Sequence, residues 1–294
     1  MYVIVGANGF LGAYLQKSIK KLTKDNILAL DINISDTVDD ERTKWMSCDV
    51  TKIEDIQRVN NIMKKQEENK VIYLAAYHHP DLVEKNPRIA WNINITALST
   101  FMNLIENVEC FFYPSTDSVY GDGDEIIHFK ENDILKPVNR YGRYKATAEC
   151  LVNAYGYNVV RFPFLIAPSL LSHKKHFYDQ IVETISKGGT MEMFVDSMRS
   201  SLDFGTVSEL VINLIENYSD NMPKILNVSG DDDLSKYDIG IMIAKKIGVS
   251  TNLIVPISAD KTDGIFEARR AKSTLLDNTK VKKYLGLKEI KIKL

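Results

Sequence analysis

Tyr2-Val3-Ile4-Val5-Gly6-Ala7-Asn8-Gly9-Phe10-Leu11-Gly12 opens the chain, and its reading decides the fold. The first four residues are a short apolar run, and helical periodicity follows the last glycine, so the stretch reads strand, glycine-rich turn, helix. Gly6 turns the chain off the strand, Gly9 offers no Cβ to an approaching pyrophosphate, and Gly12 lets helix and strand pack closely. The helix N-terminus adds unpaired N–H groups and the positive end of a dipole. Asn8, Phe10 and Leu11 complete this set of candidate cofactor contacts.

Outward from that turn, the pattern repeats. Ile27 to Leu30 form a second strand closed by Asp31, and Trp45 to Cys48 a third closed by Asp49 and Val50. A helix over about 52–67 precedes a fourth strand, Val71 to Ala75. A long helix over about 82–106 leads to the strand Cys110 to Tyr113, a polar loop over 121–139, a helix over 140–155 and the strand Tyr157 to Phe162. Strict alternation of strand and helix predicts an α/β fold, a Rossmann-type doubly wound parallel sheet with right-handed crossovers. After Pro163 the pattern changes. We expect a dinucleotide-binding domain over 1–165, rejoined by about 204–230, and a smaller C-terminal substrate-binding cap from 166–203 and 231–294. Such a cap would lie over the C-terminal ends of the strands, where open α/β sheets bind ligands.

Composition narrows the class. The chain has 294 residues, 45% hydrophobic and 26% charged, with a formal net charge of -2, which argues against a nucleic-acid partner. No apolar run reaches the length of a membrane span, and no signal peptide is visible. Three cysteines, Cys48, Cys110 and Cys150, form no disulfide framework and no metal-ligand spacing. Together these features predict a cytoplasmic protein without a metal site.

Asp31 can accept hydrogen bonds from both adenosine-ribose hydroxyls and would repel a 2′-phosphate, so NAD(H) is favoured and NADP(H) is the alternative. Arg42 is the nearest basic candidate to offset that repulsion. Asp49 suits the adenine amino group or, equally, a helix N-cap. Tyr141 and Lys145 stand one turn apart on one face of a helix. A free phenol is a poor base at neutral pH, and a nearby ammonium stabilises the phenolate. The pair can then exchange a proton with an alcohol or ketone while hydride moves to or from nicotinamide. Tyr144 falls on another face and reads as packing or surface.

These residues resemble the extended short-chain dehydrogenase/reductase superfamily over essentially the full length. The nearest likeness is to dTDP-4-dehydrorhamnose reductases and related nucleotide-sugar 4-ketoreductases. It is carried by Ala75-Ala76-Tyr77-His78-His79-Pro80-Asp81, with Glu84, Pro87, Ala90 and Asn94 beyond it, by Ser115-Thr116-Asp117, and by Arg270 to Asp277. The resemblance implies a nicotinamide cofactor, a nucleotide-diphosphate sugar between two domains, and a homodimer. It assigns Thr116, Tyr141 and Lys145 to catalysis. It adds Val50, Ala75, Ala76, Tyr77 and Asn94 to the cofactor site, Asn94 in support of the lysine. It places His78, Thr116, Asp117, Ser118, Phe164, Arg199 and Arg270 against the substrate, the two arginines on its diphosphate. Ser118 stands where sugar-nucleotide dehydratases carry glutamate, and Phe164 where epimerases carry asparagine. Reduction of a sugar 4-ketone, with Tyr141 as general acid, is therefore favoured. The alternatives are a 4-epimerase and a non-catalytic nucleotide-binding regulatory subunit.

Overall fold

The computed structural model describes residues 1–259 and 266–294. Its elements run β1 (Tyr2–Val5), α1 (Phe10–Leu22), β2 (Ile27–Asp31), β3 (Thr43–Ser47), α2 (Ile53–Met63) and β4 (Asn69–Tyr73). There follow α3 (Pro80–Lys85), α4 (Pro87–Trp91), α5 (Leu98–Leu104), β5 (Val108–Thr116), β6 (His128–Phe129), α6 (Arg140–Ala154) and β7 (Asn158–Phe162). The second half contributes α7 (Phe177–Ser186), β8 (Met191–Phe194), α8 (Phe204–Glu216), β9 (Ile225–Asn227), α9 (Lys236–Ile247), β10 (Ile254–Ile257), β11 (Leu275–Leu276) and α10 (Thr279–Leu285).

Seven parallel strands form the main sheet in the order β3-β2-β1-β4-β5-β7-β9. Direction of winding reverses between β1 and β4, so a crevice opens beyond the carboxyl ends of those two strands. The sheet is apolar on both faces because both are covered. On one side Tyr2, Ile4 and Phe112 pack with Leu15 and Ile19 of α1 and Val207, Leu210 and Val211 of α8. On the other, Val3, Val5, Phe111 and Tyr113 pack with Ile56 of α2, Phe101 of α5 and Val152 of α6. A separate core joins Tyr178, Ile181 and Ile185 of α7 to Met193 of β8, Ile239 and Ile243 of α9 and Ile254 of β10.

The C-terminal tail departs from the sequence expectation. Val281 of α10 and Ile290 belong to the same core as Tyr2, so the chain touches the large sheet again after 231, before Ile292 and Leu294 pack on the core of α7 and α9. The expected long helix over 82–106 is also interrupted. Pro87 has no N–H and disfavours helical backbone at Asn86, so α3 ends there and α4 begins anew. A π-helical stretch, Asn92–Ala97, then joins α4 to α5. Within the expected polar loop, β6 pairs in parallel with β11.

Candidate active site

At the crevice lies a cleft of about 1380 Å³, lined by the glycine turn on one side and by Phe194, Lys236 and residues 266–272 on the other. Gly6 has φ +89, and a Cβ there would sit 2.8 Å from the backbone nitrogen of Ala75, so the turn presses directly on the chain leaving β4. Gly9 forms the N-cap of α1 and supplies no side-chain cap. The first-turn N–H groups are thereby left for an anion, and the turn fits a dinucleotide diphosphate. Asp31 Oδ2 accepts the Asn8 N–H at 2.9 Å, which fixes the turn from the end of β2.

Arg42, the candidate partner for a 2′-phosphate, lies at the other end of β2. Its guanidinium donates to the carbonyls of Lys20 and Asp25. A five-residue strand of about 3.3 Å per residue separates Asp25 from Asp31, far beyond side-chain reach. Among the expected cofactor contacts, Gly6, Gly9, Phe10, Leu11, Gly12, Ala76, Tyr141 and Lys145 line the cleft, whereas Asn8, Asp31, Asp49, Val50, Ala75, Tyr77 and Asn94 do not. Asp49 Oδ1 accepts from Thr51, both N–H and hydroxyl, and Val50 is buried. Asn94 serves the backbone that leaves β4. Its amide accepts the Tyr77 N–H at 2.7 Å and donates to the Tyr77 carbonyl at 3.1 Å, so it shapes the chain after β4 and makes no direct bond to Lys145.

Tyr141 and Lys145 begin α6. The Asn139 side chain caps the helix by accepting the Gly142 N–H at 2.8 Å. A Cβ on Gly142 would lie 2.6 Å from the Ser118 carbonyl, so glycine lets α6 close on the turn after β5 and carries Tyr141 to Thr116. Burial pushes the Tyr141 phenol well above its ordinary range; the Asp117 carboxylate adds to the rise and a hydrogen bond with Thr116 opposes it. The sequence-based expectation of a phenol eased toward phenolate by Lys145 does not describe this arrangement. Lys145 Nζ donates to the Pro114 carbonyl at 2.7 Å and lies 4.4 Å from the centre of the Tyr113 ring. Burial lowers the ammonium to about 8, against the opposing charge of Glu149.

Thr116 donates to Asp117 Oδ1 at 3.0 Å, as Ser118 does at 3.3 Å. Thr274 donates to Asp117 Oδ2 at 2.5 Å, and Arg199 Nε pairs with it at 3.2 Å. The carboxylate thus ties the hydroxyl beside Tyr141 to the second half of the chain. Arg199 also donates to the carbonyls of Met198, Ala271 and Lys272. Nε, both Nη1 hydrogens and one Nη2 hydrogen are thereby engaged by protein, which leaves no pair of parallel donors for the expected bidentate grip on a diphosphate. Arg270 pairs with Asp81 at 2.8 Å and donates to the Ala268 carbonyl, with further N–H groups left over. His78 lines the cleft, and burial lowers its basicity so that it stands neutral; the Lys145 and Lys174 charges act in the same direction. Phe164 lines the cleft edge-on to Phe177. Tyr144 donates to the Pro87 carbonyl at 3.3 Å and packs on Trp91.

Two cleft lysines escaped the sequence reading. Lys174 donates to the Asn8 carbonyl at 2.9 Å, and Lys236 faces three phenylalanine rings. Both stand in lysine- or aspartate-rich surroundings with no local spacing that singles them out. No helix among the described residues is long and apolar enough to cross a membrane.

A parallel doubly wound sheet, a glycine turn at its switch point and a Tyr–Lys helix closing on Thr116 define the extended short-chain dehydrogenase/reductase class. The family model described as RmlD substrate binding domain matches residues 1–293, and the chain belongs to that family. A probable low-salt glycan biosynthesis reductase of Haloferax volcanii is 26% identical over 291 residues, 97% of this chain and 93% of that protein. Among solved structures, dTDP-4-dehydrorhamnose reductase from Bacillus anthracis in complex with NADP superposes with a TM-score of 0.76 at 20% identity, covering 98% of this chain and 94% of that one. UDP-glucuronic acid 4-epimerase from Bacillus cereus, in complex with UDP-glucuronic acid and NAD, gives 0.81 at 18%, covering 100% and 95%. At these identities the two structures establish the shared fold.

Proposed function

We propose that this chain is a nicotinamide-dependent oxidoreductase that reduces the 4-keto group of a nucleotide-diphosphate sugar. The observation that carries the reading is the cleft that brings Thr116, Tyr141 and Lys145 together with the glycine turn. A bound nicotinamide dinucleotide supplies hydride. The turn and first helical N–H groups hold its diphosphate, and Lys174, seated on Asn8, adds positive charge to that site. Asp31 at the end of β2 favours NAD(H), and Arg42 is too distant to reverse that preference.

Reduction of a ketone places negative charge on its oxygen, so the enzyme needs a proton donor there. A phenol whose pKa is raised keeps its proton in the resting site, and this suits a general acid better than a base. In the resting site Thr116 gives its proton to Asp117; turned toward Tyr141, the same hydroxyl donates to the phenolate left after transfer, the sense in which it opposes the rise of the phenol. Lys145 stays close enough to the ring of Tyr113 and the end of β5 to reach a ribose hydroxyl, and its charge stabilises the phenolate left after transfer. Arg270 has donors available for the substrate diphosphate, and neutral His78 and Ser118 are placed to bond sugar hydroxyls. The same resemblance suggests a homodimer, and the cysteine usage suggests a cytoplasmic one.

The test is direct. The purified protein is incubated with NADH or NADPH and a nucleoside-diphosphate 4-keto-6-deoxyhexose, and loss of reduced-cofactor absorbance is followed. Stoichiometric oxidation with a C4 alcohol as product is the expected result. A new C4 epimer from a fully hydroxylated nucleotide sugar, with no net oxidation, would make the chain an epimerase instead.

A further inference from the structure

Lys236 is placed against three ordinary preferences. It is the first residue of α9, where the helix dipole disfavours a cation. It is half-buried in the cleft wall, where an ammonium loses hydration. Among the described residues it also has neither a hydrogen-bond acceptor nor a carboxylate, whereas the other cleft cations have partners. Lys145 and Lys174 donate to carbonyls, Lys175 pairs with Glu183, and Arg269 and Arg270 pair with Asp122 and Asp81. Its ammonium lies 5.6, 5.5 and 5.8 Å from the ring centres of Phe164, Phe177 and Phe194. Such a cage holds a cation by its ring faces without neutralising it. The backbone is fixed as well. Ser235 and Asp238 close a capping box on α9, and Leu234 exchanges both backbone hydrogen bonds with Arg199. Arg199 and Arg270 stand near enough for their charges to oppose protonation of Lys236, after burial, the larger cause. A cation held in this way, against dipole, desolvation and like charge, marks a binding position.

Building on the nucleotide-sugar reading above, we propose that Lys236, presented by the Phe164–Phe177–Phe194 cage, is the residue that grips a phosphate oxygen of the substrate's diphosphate. Arg199 is filled by carbonyls and Asp117, so the single uncommitted charge of Lys236 takes the part that a guanidinium fork would otherwise play. The cage also explains phenylalanine at 164. An aromatic ring there supports the ammonium, which then meets the ligand in place of a side-chain amide.

Calorimetry with UDP and dTDP, and with uridine and thymidine, tests the assignment on the full chain. Lys236→Met keeps the volume and apolar packing of the cage. It should lose about ten- to a hundredfold in diphosphate affinity with nucleoside affinity unchanged, and Lys236→Arg should retain most of the diphosphate affinity. Equal diphosphate binding by wild type and Lys236→Met overturns the Lys236 assignment alone. So does a parallel loss of nucleoside binding, which would mark a structural role. A loss confined to UDP-glucuronate, with UDP-glucose and UDP unaffected, also overturns it, because the ammonium would then face a sugar carboxylate. Wild-type protein that binds no nucleoside diphosphate overturns both this inference and the reading it rests on.

Discussion

Glu149 lies one helical turn after Lys145 on α6, and its carboxylate is the charge that opposes loss of the buried ammonium's proton. Glu149 is itself held by Arg161 of β7, at 2.6 Å between Nη2 and Oε2, and by the Ser115 hydroxyl. The lysine of the site is therefore tuned from beneath by a pair that no ligand touches. Both members of that pair are only 2% exposed.

Tyr141→Phe should lower kcat for ketone reduction by about 10²- to 10⁴-fold, the usual worth of a positioned proton donor. Cofactor affinity, measured by fluorescence titration with NADH, should stay near wild type. A variant that retained full turnover would remove Tyr141 from the chemistry.

Lys145→Met should abolish most activity yet make the folded protein more stable at pH 7. Burial lowers the ammonium to about 8 from an ordinary value near 10.4, so the folded state charges it at a cost. Between roughly pH 8 and 10.4 the native state has released this proton while the unfolded state still holds it. Wild-type stability from this group therefore rises across that window, and the advantage of Lys145→Met should shrink there. Urea denaturation at pH 7 and pH 10 makes the comparison. Activity of the wild type should fall as pH passes about 8 and Lys145 becomes neutral.

Asp31→Ser should shift kcat/KM toward NADPH relative to NADH by about tenfold or more, because the repelling carboxylate is gone. It should also loosen the glycine turn, since Asn8 loses its acceptor. Steady-state kinetics with both cofactors decide this. An unchanged ratio would show that the ribose is read elsewhere.

Gly12→Ala should destabilise the fold by about 1–3 kcal/mol and weaken cofactor binding, because the new Cβ would sit 2.4 Å from the Ala7 carbonyl. Backbone, not a flexible side chain, stands in the way. Thermal unfolding with and without NADH reads both effects.

Arg161→Met should cost about 3–5 kcal/mol by leaving Glu149 buried and unpaired. Replacing both members, as Arg161→Met with Glu149→Leu, should recover much of that loss. Chemical denaturation of the two variants checks the sign of the coupling.

Local spacing made part of this legible in the sequence. The glycine turn with Asp31, and Tyr141 with Lys145, are separations that strand and helix geometry convert directly into one face or one end. Asn86-Pro87 was equally local, and the missing proline N–H explains why one expected helix became several. Roles set by distant segments were not legible. Arg199 is filled by carbonyls of Ala271 and Lys272, and Asn94 by the backbone of Tyr77, neither of which spacing reveals. Lys236 carries no local signal in the sequence, and only the fold brings three phenylalanines from separate segments onto it. Return of α10 to the main sheet was hidden because its short apolar pattern suits either core.

The packing of α8 against α1 bears on how the chain is made. Leu15 and Ile19 are covered by Val207, Leu210 and Val211, residues that leave the ribosome long after the first six strands of the main sheet have been synthesised. Until then the outer flank of α1 and the sheet surface beside it are bare and apolar, open to chaperones and to other chains. A ribosome-bound chain halted before α8 has left the exit tunnel should bind hydrophobic dyes and chaperones strongly, and one halted after α8 has emerged far less. The second half of the sequence completes the first, and so sets when a newborn molecule becomes safe in a crowded cell.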